Sequence, residues 1–159
     1  RSSCGVCGLT DPGTILEDTP ALLPGTPRVN LADLEAMRVR FEESQDLFRA
    51  TGASHSAAVF GADGRLWALG EDVGRHNALD KLLGACVRAK VELSEGFVLV
   101  SSRCSYELVE KCARLGVKAL ASLSAPTAFA VRKAEEARLA LYCRSDDEFL
   151  RVGRLSDDH

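Results

Sequence analysis

Two thiols near the start of the chain, in Cys4-Gly5-Val6-Cys7, are the residues whose type and spacing most directly imply chemistry. Gly5 and Gly8 give the backbone the freedom to turn tightly and bring the two sulfurs close. Three chemistries use such a pair. A redox disulfide needs an attacking and a resolving thiol. A zinc site needs four ligands, usually two such pairs, and neither a second CxxC nor a CxxH occurs here. A sulfur carrier needs one thiolate that accepts a sulfane sulfur and passes it on. A thioredoxin-like motif should follow a strand and open a helix, whereas Leu9-Thr10-Asp11-Pro12 breaks the chain at once. Group carriage is therefore favoured, with the other two left open.

The remaining cysteines read differently. Cys86 and Cys112 fall on apolar helical faces, where a thiol acts as a small hydrophobe. Cys143 ends a strand and is ambiguous. Cys104 opens a helix, a position that lowers a thiol pKa, although a spectator thiol at a cap is the simpler reading. The count is even, but the spacing is irregular and the core large, which points to reduced thiols in the cytoplasm.

Three polar segments offer sites for an anion. Ser101-Ser102-Arg103-Cys104-Ser105 and Ser122-Leu123-Ser124-Ala125-Pro126-Thr127 each leave a strand and enter a helix, whose free N–H groups and dipole suit phosphate. Ordinary capping by Ser102 and Ser124 explains either segment alone. In Glu71-Asp72-Val73-Gly74-Arg75-His76-Asn77, the helical spacing turns Arg75 and His76 toward the apolar face set by Leu79 and Leu83. Asp80, one turn on, is placed to orient the His76 ring, and Lys81 falls on the solvated side. His55 at a strand start reads as structural, and Glu107 with Lys111 reads as helix support at i,i+4 spacing.

The elements that must carry these residues follow from periodicity. Asn30 caps a helix that keeps its apolar rhythm to about Ala50, where Gly52 stops it. His55–Phe60 and Leu66–Leu69 form a hairpin around Ala62-Asp63-Gly64, and a helix opens at Gly74 or Arg75. Strands at Phe97–Val100, Val117–Leu123 and Leu139–Cys143 alternate with helices from about Cys104 and from Pro126, and a last strand covers Phe149–Val152. This βαβαβ order predicts parallel strands with right-handed crossovers. The fold class is α/β, a three-layer α/β/α domain with a mixed, largely parallel sheet. Residues 1–30, with four of the five prolines, read as a flexible arm bearing the CxxC motif, and 31–159 as the cofactor-binding body of one domain.

Composition limits the function classes. The chain has 159 residues, enough for one domain, and 46% are hydrophobic. A net charge of -3 gives no reason to expect nucleic acid or an anionic membrane. No apolar run long enough to span a bilayer and no signal peptide is visible. The chain starts at Arg1 and reads as a piece of something longer.

Taken together, these residues resemble the formate dehydrogenase accessory sulfurtransferases of the FdhD type. The resemblance rests on SSCGVCG at 2–8, TGASHSAA at 51–58, EDVGRHNALDK at 71–81, SSRCSYELVEK at 101–111 and ASLSAPT at 121–127. It implies a deaminase-like fold and a homodimer in the cytoplasm, lacking here the family's N-terminal segment. It implies that a cysteine desulfurase loads a persulfide on Cys4, with Cys7 assisting, and that the sulfur passes to the molybdenum bis-guanine-dinucleotide cofactor before formate dehydrogenase receives it. Arg75, His76, Ser101, Arg103, Ser124 and Thr127 are then expected at the cofactor. The guanine part is expected near Tyr142, Cys143, Arg144, Ser145, Asp146 and Asp147, with no structural metal. Deamination is not expected, because Ser56-Ala57 follows His55 where a zinc deaminase needs Glu, and no Pro precedes Cys4. The rival to covalent carriage is a chaperone that binds the cofactor or a guanine nucleotide without forming a bond.

Overall fold

The computed structural model describes residues 30–153; the Cys4–Cys7 motif, the first 29 residues and residues 154–159 lie outside it. Eleven regular elements follow in order: α1 (Leu31–Glu43), α2 (Asp46–Thr51), β1 (His55–Gly61), β2 (Leu66–Asp72), α3 (Arg75–Arg88), β3 (Gly96–Val100), α4 (Tyr106–Arg114), β4 (Ala119–Ser122), α5 (Ala128–Glu136), β5 (Ala140–Ser145) and β6 (Glu148–Val152). The strands form one sheet in the order β2-β1-β3-β4-β5-β6. β3 pairs in parallel with β4, and β4 with β5; the other three pairings are antiparallel. β2, β3, β4 and β5 therefore run one way and β1 and β6 the other, which makes the sheet mixed, as the sequence predicts, with two parallel and three antiparallel pairings.

Alternation along the strands builds two cores. Ala57, Val59, Val98, Val100, Leu120 and Leu141 point to one face, where α3, α4 and α5 bury Leu79, Leu82, Leu108, Val109, Ala130 and Ala134. Ala58, Phe60, Phe97, Leu99, Ala121 and Tyr142 point to the other, where α1 supplies Leu34, Met37 and Phe41. Gly70 in β2 permits α3 to lie close, since a Cβ there would stand 2.4 Å from the Ala78 carbonyl oxygen.

Three departures from the sequence reading bear on the site. The helix expected from Asn30 to Ala50 is two helices. Ser44 closes the first, its hydroxyl donating to the Arg40 carbonyl at 2.8 Å, and the second starts afresh at Asp46. The reason is a distant carboxylate: Glu71 accepts from the Leu47 and Phe48 N–H groups at 2.9 and 3.4 Å, which fixes the positive end of α2 against β2. Second, α4 starts at Tyr106 and α5 at Ala128, two residues later than expected, so the capping residues are Ser105 and Thr127 and not Ser102 and Ser124. Third, β2 runs on to Asp72, because its whole length pairs with β1.

Candidate functional site

The strand directions gather the chemistry-bearing residues at one edge. Asp72, Val100, Ser122 and Ser145 end β2, β3, β4 and β5 there, and His55 and Glu148 begin β1 and β6 there. Arg75, His76, Ser101, Arg103, Ser124, Thr127 and the 144–147 turn all lie in segments that leave or enter this edge. It is the edge at which open α/β sheets bind ligands.

On the helical side, α3, α4 and α5 present their N-termini. Arg75 and His76 turn inward as their spacing predicts: Arg75 Nε and His76 Nε2 are buried without a hydrogen-bond partner. Asp80 does not orient His76. Asp80 reaches across to Lys111 at 2.8 Å, and the residue beside His76 Nδ1 is Glu107, at 3.2 Å. Glu107 and Lys111 thus pair with α3 residues and not with each other, because their side chains reach across from α4 to His76 and Asp80. Burial first, then Arg75 and Lys111, holds the His76 imidazole below its ordinary pKa. Burial also raises the Glu107 carboxyl. Lys81, expected to be merely solvated, pairs with Asp72 at 2.6 Å and donates to the Glu71 carbonyl at 3.1 Å.

The two connecting loops hold one another. Thr127 N–H donates to the Cys104 carbonyl at 3.0 Å, and Leu123 N–H to the Val100 carbonyl at 3.0 Å. Thr127 Oγ1 accepts from Ala130 N–H at 3.1 Å, so this hydroxyl caps α5. Ser101 Oγ accepts from Ser56 N–H at 2.9 Å, tying β3 to β1. Arg103 is exposed, and Ser124 is half-buried beside Ser122. Cys104 is fully buried, and burial pushes its thiol up to about 12; the helix start gives it no activation. Cys86, Cys112 and Cys143 are buried too, and burial raises each.

On the opposite face of the sheet the same edge opens into a cleft of about 670 Å³, within the roughly 300–1,000 Å³ of small-molecule sites. Gln45, Phe48, Arg49, Ser54, His55 and Ser101 are among its lining residues. Ser54 Oγ is buried without a partner, and the Phe48 ring is half-exposed at the wall. Of these only Ser101 was singled out as a ligand residue in sequence. His55 read as structural, and Phe48 as part of a continuous apolar helical stripe. The local signal for the cleft was Gly52, whose positive φ of 64° turns the chain from α2 into the Ala53–His55 strand entry.

The 142–147 segment is less available. Tyr142 lies in the α1-side core, and Cys143 is buried. Arg144 pairs with Glu35 at 3.4 Å and with Asp147 at 3.1 Å. Asp146 and Asp147 take positive φ values of 48° and 70°, which makes them the two central residues of the tight β5–β6 hairpin turn. Their acidity stands where a short turn tolerates Asp, and Ser145 is exposed beside them.

Comparison with known proteins decides the kinship. The FdhD/NarQ family model matches residues 1–152. The chain belongs to the FdhD/NarQ family. A sulfur carrier protein FdhD from Bordetella petrii is 46% identical over 141 residues, 89% of this chain and 50% of that protein. One from Acinetobacter baylyi is 40% identical, covering 91% of this chain and 53% of that protein. The chain thus spans about half the length of the curated relatives it matches. A crystal structure described as a formate dehydrogenase accessory protein of Desulfotalea psychrophila superposes with a TM-score of 0.76 at 25% identity, over 89% of this chain and 60% of that one. A guanine deaminase from Nitrosomonas europaea superposes with a TM-score of 0.52 at 18% identity, over 86% of this chain and 85% of that one. That likeness concerns fold alone, and it agrees with the deaminase-like architecture expected for an FdhD/NarQ member.

Proposed function

We propose that this protein is a persulfide sulfur carrier, with Cys4 as the carrying thiol and Cys7 assisting. The observation that carries the reading is an elimination. All four cysteines of the described body are buried with thiol pKa values pushed upward, so none is a thiolate at neutral pH. Sulfur chemistry in this chain then falls to Cys4 or Cys7, and the relatives at 40–46% identity bear the name sulfur carrier protein.

The steps balance without an outside oxidant. The Cys4 thiolate attacks the outer sulfur of a persulfide on a cysteine desulfurase, and the donor cysteine leaves as its thiolate. For release, Cys7 attacks the Cys4 sulfur, a Cys4–Cys7 disulfide forms, and the outer sulfur departs reduced, as hydrosulfide; a dithiol reductant resets the pair. The acceptor is the molybdenum bis-guanine-dinucleotide cofactor, bound as substrate and sulfurated before it enters formate dehydrogenase. Helix N-termini with Arg75, Arg103 and Thr127 supply N–H groups and positive charge for its phosphates. The reading includes a cytoplasmic homodimer. Among the described residues no helix is long and apolar enough to cross a membrane.

Incubation with a desulfurase and isotopically labelled cysteine, followed by intact mass, tests this. One added sulfur is expected on the wild type and none on Cys4→Ala with Cys7→Ala. Equal loading of that double variant overturns the reading. The cleft with its unpartnered Ser54 hydroxyl favours the non-covalent alternative, a cofactor- or guanine-nucleotide-binding chaperone. That alternative gains if the double variant still matures formate dehydrogenase.

A further inference from the structure

Buried polar atoms without partners are rare in native proteins, and each calls for a physical account. At the starts of α3 and α4 they stand together: Arg75 Nε, His76 Nε2, Ser105 Oγ and Glu107 Oε2. One contact joins the two helices through these residues. Glu107 Oε2 lies 3.2 Å from His76 Nδ1, in contact but not aligned as a hydrogen bond, with the two side chains 16% and 11% exposed.

This geometry matters because an imidazole has two unlike nitrogens. The one facing a carboxyl group fixes the tautomer, and the other is then presented to whatever comes next. Nδ1 faces Glu107, so a negative carboxylate 3.2 Å away favours the tautomer with its proton on Nδ1, which leaves the Nε2 lone pair as the acceptor. Nε2 is the atom without a partner.

We propose that Glu107 is a positioning residue for His76, fixing the ring so that Nε2 takes the proton that an attacking thiol loses as it becomes a thiolate during sulfur delivery. The inference rests on the sulfur-carrier reading for its functional half and stands on geometry alone for its structural half. The charged groups facing the pair are Arg75 and Asp80 on α3 and Lys111 and Glu110 on α4. Burial disfavours the charged form of both partners, moving the imidazole downward and the carboxyl upward.

Two measurements on the whole protein test it. The first is ¹⁵N NMR of the His76 ring with pH. The Nδ1–H tautomer is expected in the wild type. Glu107→Gln should abolish that preference and lower the His76 midpoint further, since Arg75 and Lys111 would then act with one fewer opposing carboxylate. An Nε2–H ring in the wild type, or a midpoint unmoved by Glu107→Gln, overturns the proposal. The second is the rate at which preloaded sulfur is delivered to a small thiol acceptor, followed against pH. Glu107→Gln should slow delivery by about tenfold or more, a modest share of what acid–base catalysis supplies, and shift the acid limb, while Glu107→Asp restores part of the rate. A slowed rate with an unchanged pH profile assigns Glu107 a merely structural role and also overturns it. If the wild type never loads sulfur, the carrier reading fails, and the NMR result still decides the His76–Glu107 pairing.

Discussion

The same three helices end in opposite ways. At their C-termini α3, α4 and α5 close with one repeated device. Lys90, Gly116 and Arg138 take positive φ, and the next residue's N–H reaches back: Val91 to the Cys86 carbonyl, Val117 to Cys112, Leu139 to Ala134, at 2.9, 3.0 and 2.9 Å. Val117 and Leu139 then bury their side chains in the core. At their N-termini, α3 and α4 have no side-chain cap, and only α5 has one, from Thr127. The unpartnered buried atoms of Arg75, His76, Ser105 and Glu107 collect at this second end. One end of the layer is thus finished for stability, while the other keeps donors and acceptors unspent, which is where a ligand gains most from binding.

The comparison would blur if the open end also exposed its thiol, and alkylation tests that most sharply. Cys104 belongs to the open end and Cys112 to the closed one, yet both are fully buried. With Cys104 near 12, its thiolate at pH 8 should be scarcer by roughly three orders of magnitude than that of a free cysteine, whose pKa is about 8.5. Iodoacetamide followed by peptide mass spectrometry should leave Cys86, Cys104, Cys112 and Cys143 unmodified until denaturant is added. Rapid labelling of Cys104 in the native protein would mean that the α4 start is open in solution, and that the unpartnered atoms there are simply wet.

The closed end can be broken with one methyl group. Gly116 has a φ of 80° with open space around it, so alanine meets no clash there but must adopt a left-handed backbone. Gly116→Ala should lower the unfolding free energy by about 1 kcal/mol or slightly more. Lys90 holds the equivalent position at a φ of 55° without glycine's freedom, and Lys90→Gly should recover up to about 1 kcal/mol. Urea melts of both read the difference, and equal effects of the same sign would show that these caps do not set the stability of that end.

A smaller contrast lies within the open end. Thr127 caps α5 through its hydroxyl, whereas Ser105 stands at the same position of α4 and makes no such bond. Thr127→Ala should cost about 1 kcal/mol. Ser105→Ala removes a buried hydroxyl that has no partner, so it should be neutral or stabilising by up to about 1 kcal/mol. Thermal melts of the two variants, run side by side, decide whether Ser105 is held back for something other than the fold.

What could be read in sequence was what depends on near neighbours. The alternation of Ala57-Ala58-Val59-Phe60 between the two cores, the βαβαβ order and the inward turn of Arg75 and His76 all follow from periods of 2 or 3.6 residues. What could not be read was set by residues far apart. Glu71 splits the first helix from 23 to 24 positions away, and Asp80 finds Lys111 across 31. The cleft was missed for the same reason: Gln45, Phe48 and His55 meet Ser101 and Leu123 only once β1 lies beside β3. Glu107 was visible as a charged residue in a helix's first turn, but i,i+4 spacing named Lys111 as its partner when the partner was His76. The segments 71–81 and 101–111 that carried the family resemblance do lie together, at one edge.

Asp72 is where the open end is most nearly closed, and it yields the gentlest test. Its carboxylate takes Lys81 Nζ at 2.6 Å, Gly74 N–H at 3.0 Å and Asn77 Nδ2 at 3.4 Å, fixing the turn that leads into Arg75 and His76. These bonds, Lys81 first, hold its pKa at about 2 against an ordinary 3.8. A carboxyl depressed on folding contributes stability above its unfolded value and loses it as pH falls toward the folded one. The window is therefore pH 3.8 down to about 2. Through it the wild type should lose stability faster than Asp72→Asn, and the gap between the two should narrow to a constant at the acid end. Because the Asp72–Lys81 pair is partly open to solvent, 1 M salt should shrink the gap where Asp72 is ionised and leave the acid-end constant unchanged. Parallel curves at low salt would mean that Lys81 and Gly74 do not hold this carboxylate in solution, and that even the best-tied part of the open end is loose.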